Sequence, residues 1–200
     1  MVYRVFWKIG IILEMIKFPH TVFALPFALA GAILAADGIP SWRTIFWIVV
    51  AMVGARSGVF GLNRLIDREI DAKNPRTMNR ALPRGLIRPA EGGAFIIFFF
   101  LVFLLAAYKL NPLCVKLYPV AVVVLILYSY MKRFTWGTHM VLGLALGMAP
   151  VGAWIAVSGS IGIPALILCL VVLSWVAGFD VIYACQDTDF DRKSGLHSIP

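Results

Sequence analysis

The stretch 18–36, nineteen residues without one Asp, Glu, Lys or Arg, limits the fold more than any other feature of this chain. As a helix rising about 1.5 Å per residue it crosses a hydrocarbon layer of about 30 Å. Further apolar runs follow. A second begins near Thr44 and continues through Arg56 towards Leu62 and Ile66, and a third covers 92–108. A fourth, 117–131, is short but extendable at either end. A fifth, 136–158, is rich in Gly and Ala, residues that let helices approach closely in lipid. The sixth starts at 161–179 and is expected to run on through Asp180 to about Gln186. The expected fold is therefore all-α, a polytopic transmembrane helical bundle with six spans in one domain, residues 1–200. Composition agrees: 61% of residues are hydrophobic and 14% charged, against roughly 45–50% and 25% in ordinary soluble domains. A soluble enzyme and a disordered chain are both excluded.

Cys114, Cys169 and Cys185 form no CxxC pair and no even set, so they suggest neither a disulfide framework nor a structural zinc site. Arg4 and Lys8 precede a stretch broken by Glu14 and Lys17, which is not the pattern of a cleavable signal peptide. The net charge of +8 gains meaning from its placement. With the N-terminus inside, all of the 18 basic residues except Arg43, Lys109, Lys116 and the intrahelical Arg56 fall on the cytoplasmic side. The chain is expected to be integral to a bacterial or archaeal inner membrane, with its N-terminus and both acid-rich segments cytoplasmic.

Those acid-rich segments carry the chemistry. Asn63, Asp67 and Asp71 recur every fourth position. Each step of four turns a helix by about 40°, so the three oxygen-bearing groups form one polar stripe. Two carboxylates and an amide oxygen are hard ligands suited to Mg²⁺ shared with a phosphate. At the end of the sixth run stand Asp180, Tyr183, Asp187, Asp189 and Asp191. On a continuous helix Asp180 and Asp187 nearly superpose and Asp191 follows one turn later, while Asp189 points elsewhere. Two such stripes facing each other would hold metal ions between them. Lys73, Arg76, Arg80 and Arg84 follow the first stripe, and guanidinium groups bind phosphate oxygens in bidentate fashion. Lys132 and Lys193 are candidate additional point charges.

Arg56 lies inside an apolar run, where a charge facing lipid is expensive, so it should face a cavity. It is either a structural partner of buried oxygens or a clamp for a substrate carboxylate. His20 reads as an interfacial or packing residue, and His139 and His197 have no metal-ligand spacing. Nucleic acid is not an expected partner, because the basic residues are interleaved with aspartates in loops too short for a nucleic-acid module. A transporter would place polar groups at mid-bilayer in several spans, yet the third and fourth are almost free of them. A CDP-alcohol phosphotransferase would show an Asp-Gly-x2-Ala-Arg run, which is absent.

The ordered motifs resemble the UbiA-type intramembrane aromatic prenyltransferases. The resemblance rests on Asn63-x3-Asp67-x3-Asp71, Asn74-Pro75-Arg76-Thr77 and Asn79-Arg80-Ala81-Leu82-Pro83-x-Gly85. Tyr128-Ser129-x2-Lys132-Arg133-x-Thr135 and Asp180-x2-Tyr183-x3-Asp187-x3-Asp191 continue it, with His20-Thr21-Val22-Phe23-Ala24-Leu25-Pro26 near the start. Ala55-Arg56 before Asn63-Arg64 is most similar to the 4-hydroxybenzoate polyprenyltransferase-like branch. Where the family's first motif most commonly begins Asn-Asp, Arg64 stands here. The resemblance implies a bundle of about nine helices, of which this chain would lack the C-terminal third.

The resemblance also implies Mg²⁺ held by Asn63, Asp67, Asp71, Asp187 and Asp191, bridging the diphosphate of a polyprenyl diphosphate. Arg76, Arg80, Lys132 and Lys193 would stabilise the leaving group, and Tyr128 would join the substrate-binding set. Arg56 would hold the carboxylate of a small aromatic acceptor with a hydroxyl, 4-hydroxybenzoate, in quinone biosynthesis. Asp180 and Tyr183 would shape the acceptor pocket or stabilise the allylic cation. A dihydroxynaphthoate acceptor, for menaquinone, would use the same charged machinery. The apolar walls and the lipid bilayer would accommodate the isoprenoid tail.

Overall fold

The computed structural model describes Gly10 and residues 24–200. Arg4, Lys8, Lys17, His20 and residues 18–23 of the first expected span lie outside the described residues. The remainder of that span is helix α1, Leu25–Ala36, with Pro26 at the start, where no intrahelical amide donor is needed. It stops at Asp37, in the left-handed region at φ 47°, with the Gly38 amide donating back to Ile33 O at 3.2 Å.

Helix α2, Trp42–Ile66, is capped by Ser41, whose Oγ accepts from the Thr44 amide at 3.2 Å. A short helix α3, Arg68–Lys73, follows directly. Then come α4, Pro89–Leu110, and α5, Pro112–Met131, separated only by Asn111. Asn111 ends one helix and begins the next: its Oδ1 accepts from the Cys114 amide at 3.0 Å while its Nδ2 donates to Ile155 O at 2.7 Å. Helix α6 is Thr138–Ser158 and α7 is Ile163–Ala184. A 3₁₀ turn, Cys185–Asp187, leads into α8, Thr188–Lys193. There is no strand among the described residues.

Helices α2, α4, α5, α6 and the segment containing α7 are each long and apolar enough to cross a membrane. The fourth expected span extends at its N-terminal end, as far as Pro112. The sixth departs from expectation. Its helix ends at Ala184, so Asp180, Asp187 and Asp191 do not share one continuous helix; the 3₁₀ turn tightens the backbone before α8 begins. The first stripe also crosses a helix boundary at Asp67. Its register survives, because Asp67 N donates to Asn63 O at 2.9 Å and Asp71 N to Asp67 O at 2.7 Å.

Backbone proximity orders the bundle. The most extensive pairings are α2 with α4, α6 with α7, and α1 with α6. A Cβ on Gly54 would stand 2.7 Å from the Phe103 amide nitrogen of α4, and one on Gly147 would stand 2.7 Å from Cys169 O of α7. A Cβ on Gly143 would strike Leu173 O, and one on Gly31 would strike Pro150 O. These glycines are what lets the helices touch, since little hydrophobic drive exists between apolar surfaces in lipid. Between α1, α2 and α6 lies a core of Ala28, Ala32, Ile48, Ala153 and Ala156. Outward, Ile97, Phe98, Leu101 and Tyr108 of α4 are exposed, while Phe99 and Phe100 are partly buried.

Candidate active site at the charged end of the bundle

The charged ends of α2, α5 and α7 meet the loop 74–88 at one end of the bundle. The loop has a small core of its own: Leu82 and Ile87 are buried against Phe60, Leu65, Ala81 and Phe95. Gly85 takes φ 68°, a conformation costly for side chains with a Cβ, and lets the Leu86 amide return to Ala81 O at 2.9 Å. The Asn-Pro-Arg-Thr turn is tied from both sides. Thr77 Oγ1 donates to Asp71 O at 3.0 Å, and Asn74 Oδ1 accepts from the Arg76 amide at 2.9 Å. Arg80 is thereby aimed back onto Asp71 of the first stripe and Arg76 onto Asp187 of the second motif.

Each aspartate of the metal-ligand set except Asp191 meets a cation. Asp67, 2% exposed, faces Lys132 Nζ at 2.6 Å and Arg133 Nη2 at 3.2 Å, and accepts from Asn63 Nδ2 at 3.2 Å. Arg80 Nη1 lies 2.7 and 2.8 Å from the two oxygens of Asp71, with Arg64 at 4.0 Å. Arg76 forks onto Asp187: Nε donates to Oδ1 at 2.9 Å and Nη2 pairs with Oδ2, while Asn74 Nδ2 also donates to Oδ1 at 3.1 Å. The hydrogen bond to Asp187 holds the Arg76 guanidinium above its ordinary pKa. Arg76 Nη1 also donates to Tyr183 OH at 3.1 Å.

These side chains surround a polar cavity of about 190 Å³, which Asn63, Asp67, Asp71, Asn74, Asp187 and Asp191 all line. Beneath it opens a much larger one of about 1110 Å³, which reaches down through Met52, Phe103, Leu117 and Ala149 to Leu110 and Cys114. Asn63, Arg64, Arg76, Arg80, Tyr128, Asp180 and Tyr183 belong to both. The arrangement is a charged mouth over an apolar chamber. Arg56 is on the wall of the chamber, its Cζ 4.6 Å from the centre of the Phe60 ring and its buried Nε without a hydrogen-bond partner. Among the described residues no carboxylate pairs with it.

Oxygen donors from two sides of one polar cavity suit Mg²⁺, which takes few protein ligands and completes its shell with water and phosphate oxygens. Among the described residues no three His, Cys, Asp or Glu side chains converge closely enough to hold an ion by themselves. Their carboxylates are instead neutralised by the arginines and Lys132.

Lys193 stands apart, exposed at the end of α8 and on the wall of neither cavity. Arg133, Asn74 and His139 are participants that sequence reasoning did not single out. Arg133 and Asn74 sit inside the quoted motifs, which was their available signal. His139 had none: its partner Asp180, 2.8 Å away, is 41 residues distant in the chain.

A sequence pattern described as the UbiA prenyltransferase family matches residues 24–200. A 4-hydroxybenzoate octaprenyltransferase of Aliivibrio fischeri (strain MJ11) is 35% identical over 165 residues, covering 82% of this chain and 58% of that protein. This chain thus spans less than two thirds of the length of that curated relative. The apo structure of a UbiA homolog from Aeropyrum pernix K1 superposes with a TM-score of 0.84 at 34% identity, covering 91% of this chain and 69% of the other. A UbiA homolog from Archaeoglobus fulgidus, solved with bound DMAPP and Mg²⁺, superposes with a TM-score of 0.77 at 22% identity, covering 94% and 68%.

Proposed function

Since the chain belongs to the UbiA prenyltransferase family, we propose that it transfers a polyprenyl group from a polyprenyl diphosphate to the ring of an aromatic acceptor bearing a carboxylate and a hydroxyl, with 4-hydroxybenzoate as that acceptor. The observation that carries this reading is the charged mouth over an apolar chamber of about 1110 Å³. Such a cavity suits a substrate that is anionic at one end and greasy along the rest. A prenyl diphosphate is such a molecule, and the Archaeoglobus fulgidus homolog was solved with one and Mg²⁺. The name of the Aliivibrio fischeri relative supports the choice of acceptor.

Arg76, Arg80 and Lys132 now neutralise Asp187, Asp71 and Asp67. In the reaction they turn to the diphosphate oxygens, where their charge offsets the negative charge that grows on the leaving group. Asn63, Asp67, Asp71, Asp187 and Asp191 would hold Mg²⁺, which when bound adds Lewis-acid neutralisation of that same leaving group. The carbon–oxygen bond breaks with its electron pair leaving on diphosphate. Apolar walls keep water from the allylic cation, and the phenol ring attacks it. The ring then loses its proton to water and regains aromaticity. Asp180 and Tyr183, on the wall common to both cavities, face the place where chain head and acceptor meet. By this reading the charged end is the cytoplasmic face of an inner membrane.

Membranes from cells producing the protein are expected to show Mg²⁺-dependent transfer of a polyprenyl group to 4-hydroxybenzoate, with the product identified by mass spectrometry. Transfer to dihydroxynaphthoate alone would move the protein to menaquinone biosynthesis. Ion flux in proteoliposomes with no prenyl product would overturn the reading.

Arg56 supplies a second test. With no carboxylate partner among the described residues, its guanidinium is the natural seat for the acceptor's carboxylate. Arg56→Met is expected to raise the acceptor KM about tenfold or more, the loss of one charge-assisted contact, with the donor KM unchanged. Steady-state kinetics with each substrate varied in turn checks this. An unchanged acceptor KM makes Arg56 a structural residue.

A further inference from the structure

His139 is a buried polar residue for which the proposed mechanism has no task. It is the second residue of α6, 2% exposed, and every ring nitrogen is engaged. Nδ1 lies 2.8 Å from Asp180 Oδ2, and Nε2 lies 3.1 Å from Ser198 Oγ and 3.3 Å from the Ile199 amide nitrogen. A backbone amide can only donate, so Nε2 accepts and the neutral ring carries its proton on Nδ1. Nδ1–H therefore donates to Asp180. The other carboxylate oxygen, Oδ1, takes no hydrogen bond from the described residues, and Asp180 lines both cavities.

The residues that reach His139 from the other side come from beyond the second aspartate motif. The Leu196 amide donates to Asp191 O at 2.9 Å and the His197 amide to Lys132 O at 2.8 Å before Ser198 and Ile199 arrive at the ring. The segment thus bridges α8, the end of α5 and the start of α6. Ser198, His139 and Asp180 stand in the order of a serine-hydrolase relay. The single lone pair of Nε2 is shared with the Ile199 amide, however, so Ser198 has no free base.

We propose that His139 is a positioning residue that ties the docking of residues 196–199 to the orientation of the Asp180 carboxylate, whose free Oδ1 accepts a hydrogen bond from the acceptor's hydroxyl. This rests on the prenyl-transfer reading for the acceptor, while the linkage between segment and carboxylate stands on geometry alone. Docking of the segment that follows the second aspartate motif then helps to hold the ring whose Nδ1–H sets the acceptor side of the site.

Two substitutions separate the two ring nitrogens. His139→Asn keeps an amide N–H near the Nδ1 position and loses the acceptor at Nε2; His139→Gln keeps an acceptor near Nε2 and loses the donor to Asp180. His139→Gln is expected to lower kcat/KM for 4-hydroxybenzoate about tenfold, one hydrogen bond to a charged group, with the polyprenyl diphosphate KM unchanged, and His139→Asn to stay within about threefold of wild type. Hydrogen–deuterium exchange at 196–199 is expected to run the other way, faster in His139→Asn and near wild type in His139→Gln. It should also quicken in Asp180→Asn, which takes the charged partner from the ring. Wild-type acceptor kinetics in His139→Gln, or equal losses in both variants with the donor KM raised as well, would overturn the positioning role. Unchanged exchange in Asp180→Asn would overturn the linkage. A wild-type protein without prenyl transfer sinks the proposed function, and the exchange measurements then decide on His139 by themselves.

Discussion

Asp67→Ala is expected to lower prenyl transfer by about 10²- to 10³-fold, the effect of losing one preorganised charge contact at a transition state that accumulates negative charge. Asp67 is the most deeply buried of the five motif aspartates that line the polar cavity, at 2% exposure, and it holds Lys132 and Arg133 while accepting from Asn63. Removing it costs twice. The Mg²⁺ set loses one of its carboxylates, and Lys132 loses the contact that keeps its ammonium at the mouth of the chamber. Stability should fall by less than the several kcal/mol of a fully buried pair, about 1–2 kcal/mol, because Lys132 and Arg133 are each about a third exposed. Turnover in membranes, beside a thermal melt in detergent, separates the two effects. Asp187→Ala, which frees the Arg76 fork, is expected to lose turnover comparably with a smaller change in melting. Wild-type turnover in both variants removes the site from these aspartates.

Gly143→Leu is expected to abolish activity without touching any residue of the site. A Cβ at Gly143 already collides with Leu173 O, and α6 and α7 are antiparallel neighbours that also touch at Gly147 and Cys169. One turn before Gly143 is His139, and seven residues after Leu173 is Asp180. The close approach at Gly143 is therefore what holds His139 within hydrogen-bond reach of Asp180. A leucine side chain would force the helices apart, an overpacking strain of about 1–3 kcal/mol or more, and the pair at the charged end would separate. Loss of folded protein in detergent with loss of turnover is the expected result. Full activity in Gly143→Leu would mean that α6 and α7 accommodate the insertion and do not set the site's geometry. Gly178→Ala on α7 serves as the control, since a Cβ there has open space around it and the residue is on the wall of neither cavity.

Much of the site could be read along the chain because its parts are local. Asn63, Asp67 and Asp71 lie one turn apart, so helical periodicity alone stacks them, and the stripe keeps its register across the boundary at Asp67. The loop basics follow within a few residues and fold back through Gly85 and the Asn74 turn. The second motif was less transparent. A 3₁₀ turn at Cys185–Asp187 interrupts the helix between Asp180 and Asp191, a change of pitch that periodicity does not announce, although all three aspartates still line the polar cavity. Lys193 illustrates the same limit: adjacency to a motif does not turn a side chain towards it, and this one ends exposed.

The sequence by itself determined that the chain is a bundle of membrane-spanning helices with most of its acids and bases gathered at one end. Hydrophobic run length and charge spacing are properties of neighbouring residues, and they hold whatever the helices pack against. Only the tertiary structure decided which cation meets which carboxylate, that Arg56 faces a chamber with no carboxylate partner among the described residues, and that His139 joins Asp180 to the segment 196–199. Those pairings depend on how closely helices distant in the chain can approach, and that distance is set by backbone contacts at glycines such as Gly54 and Gly143.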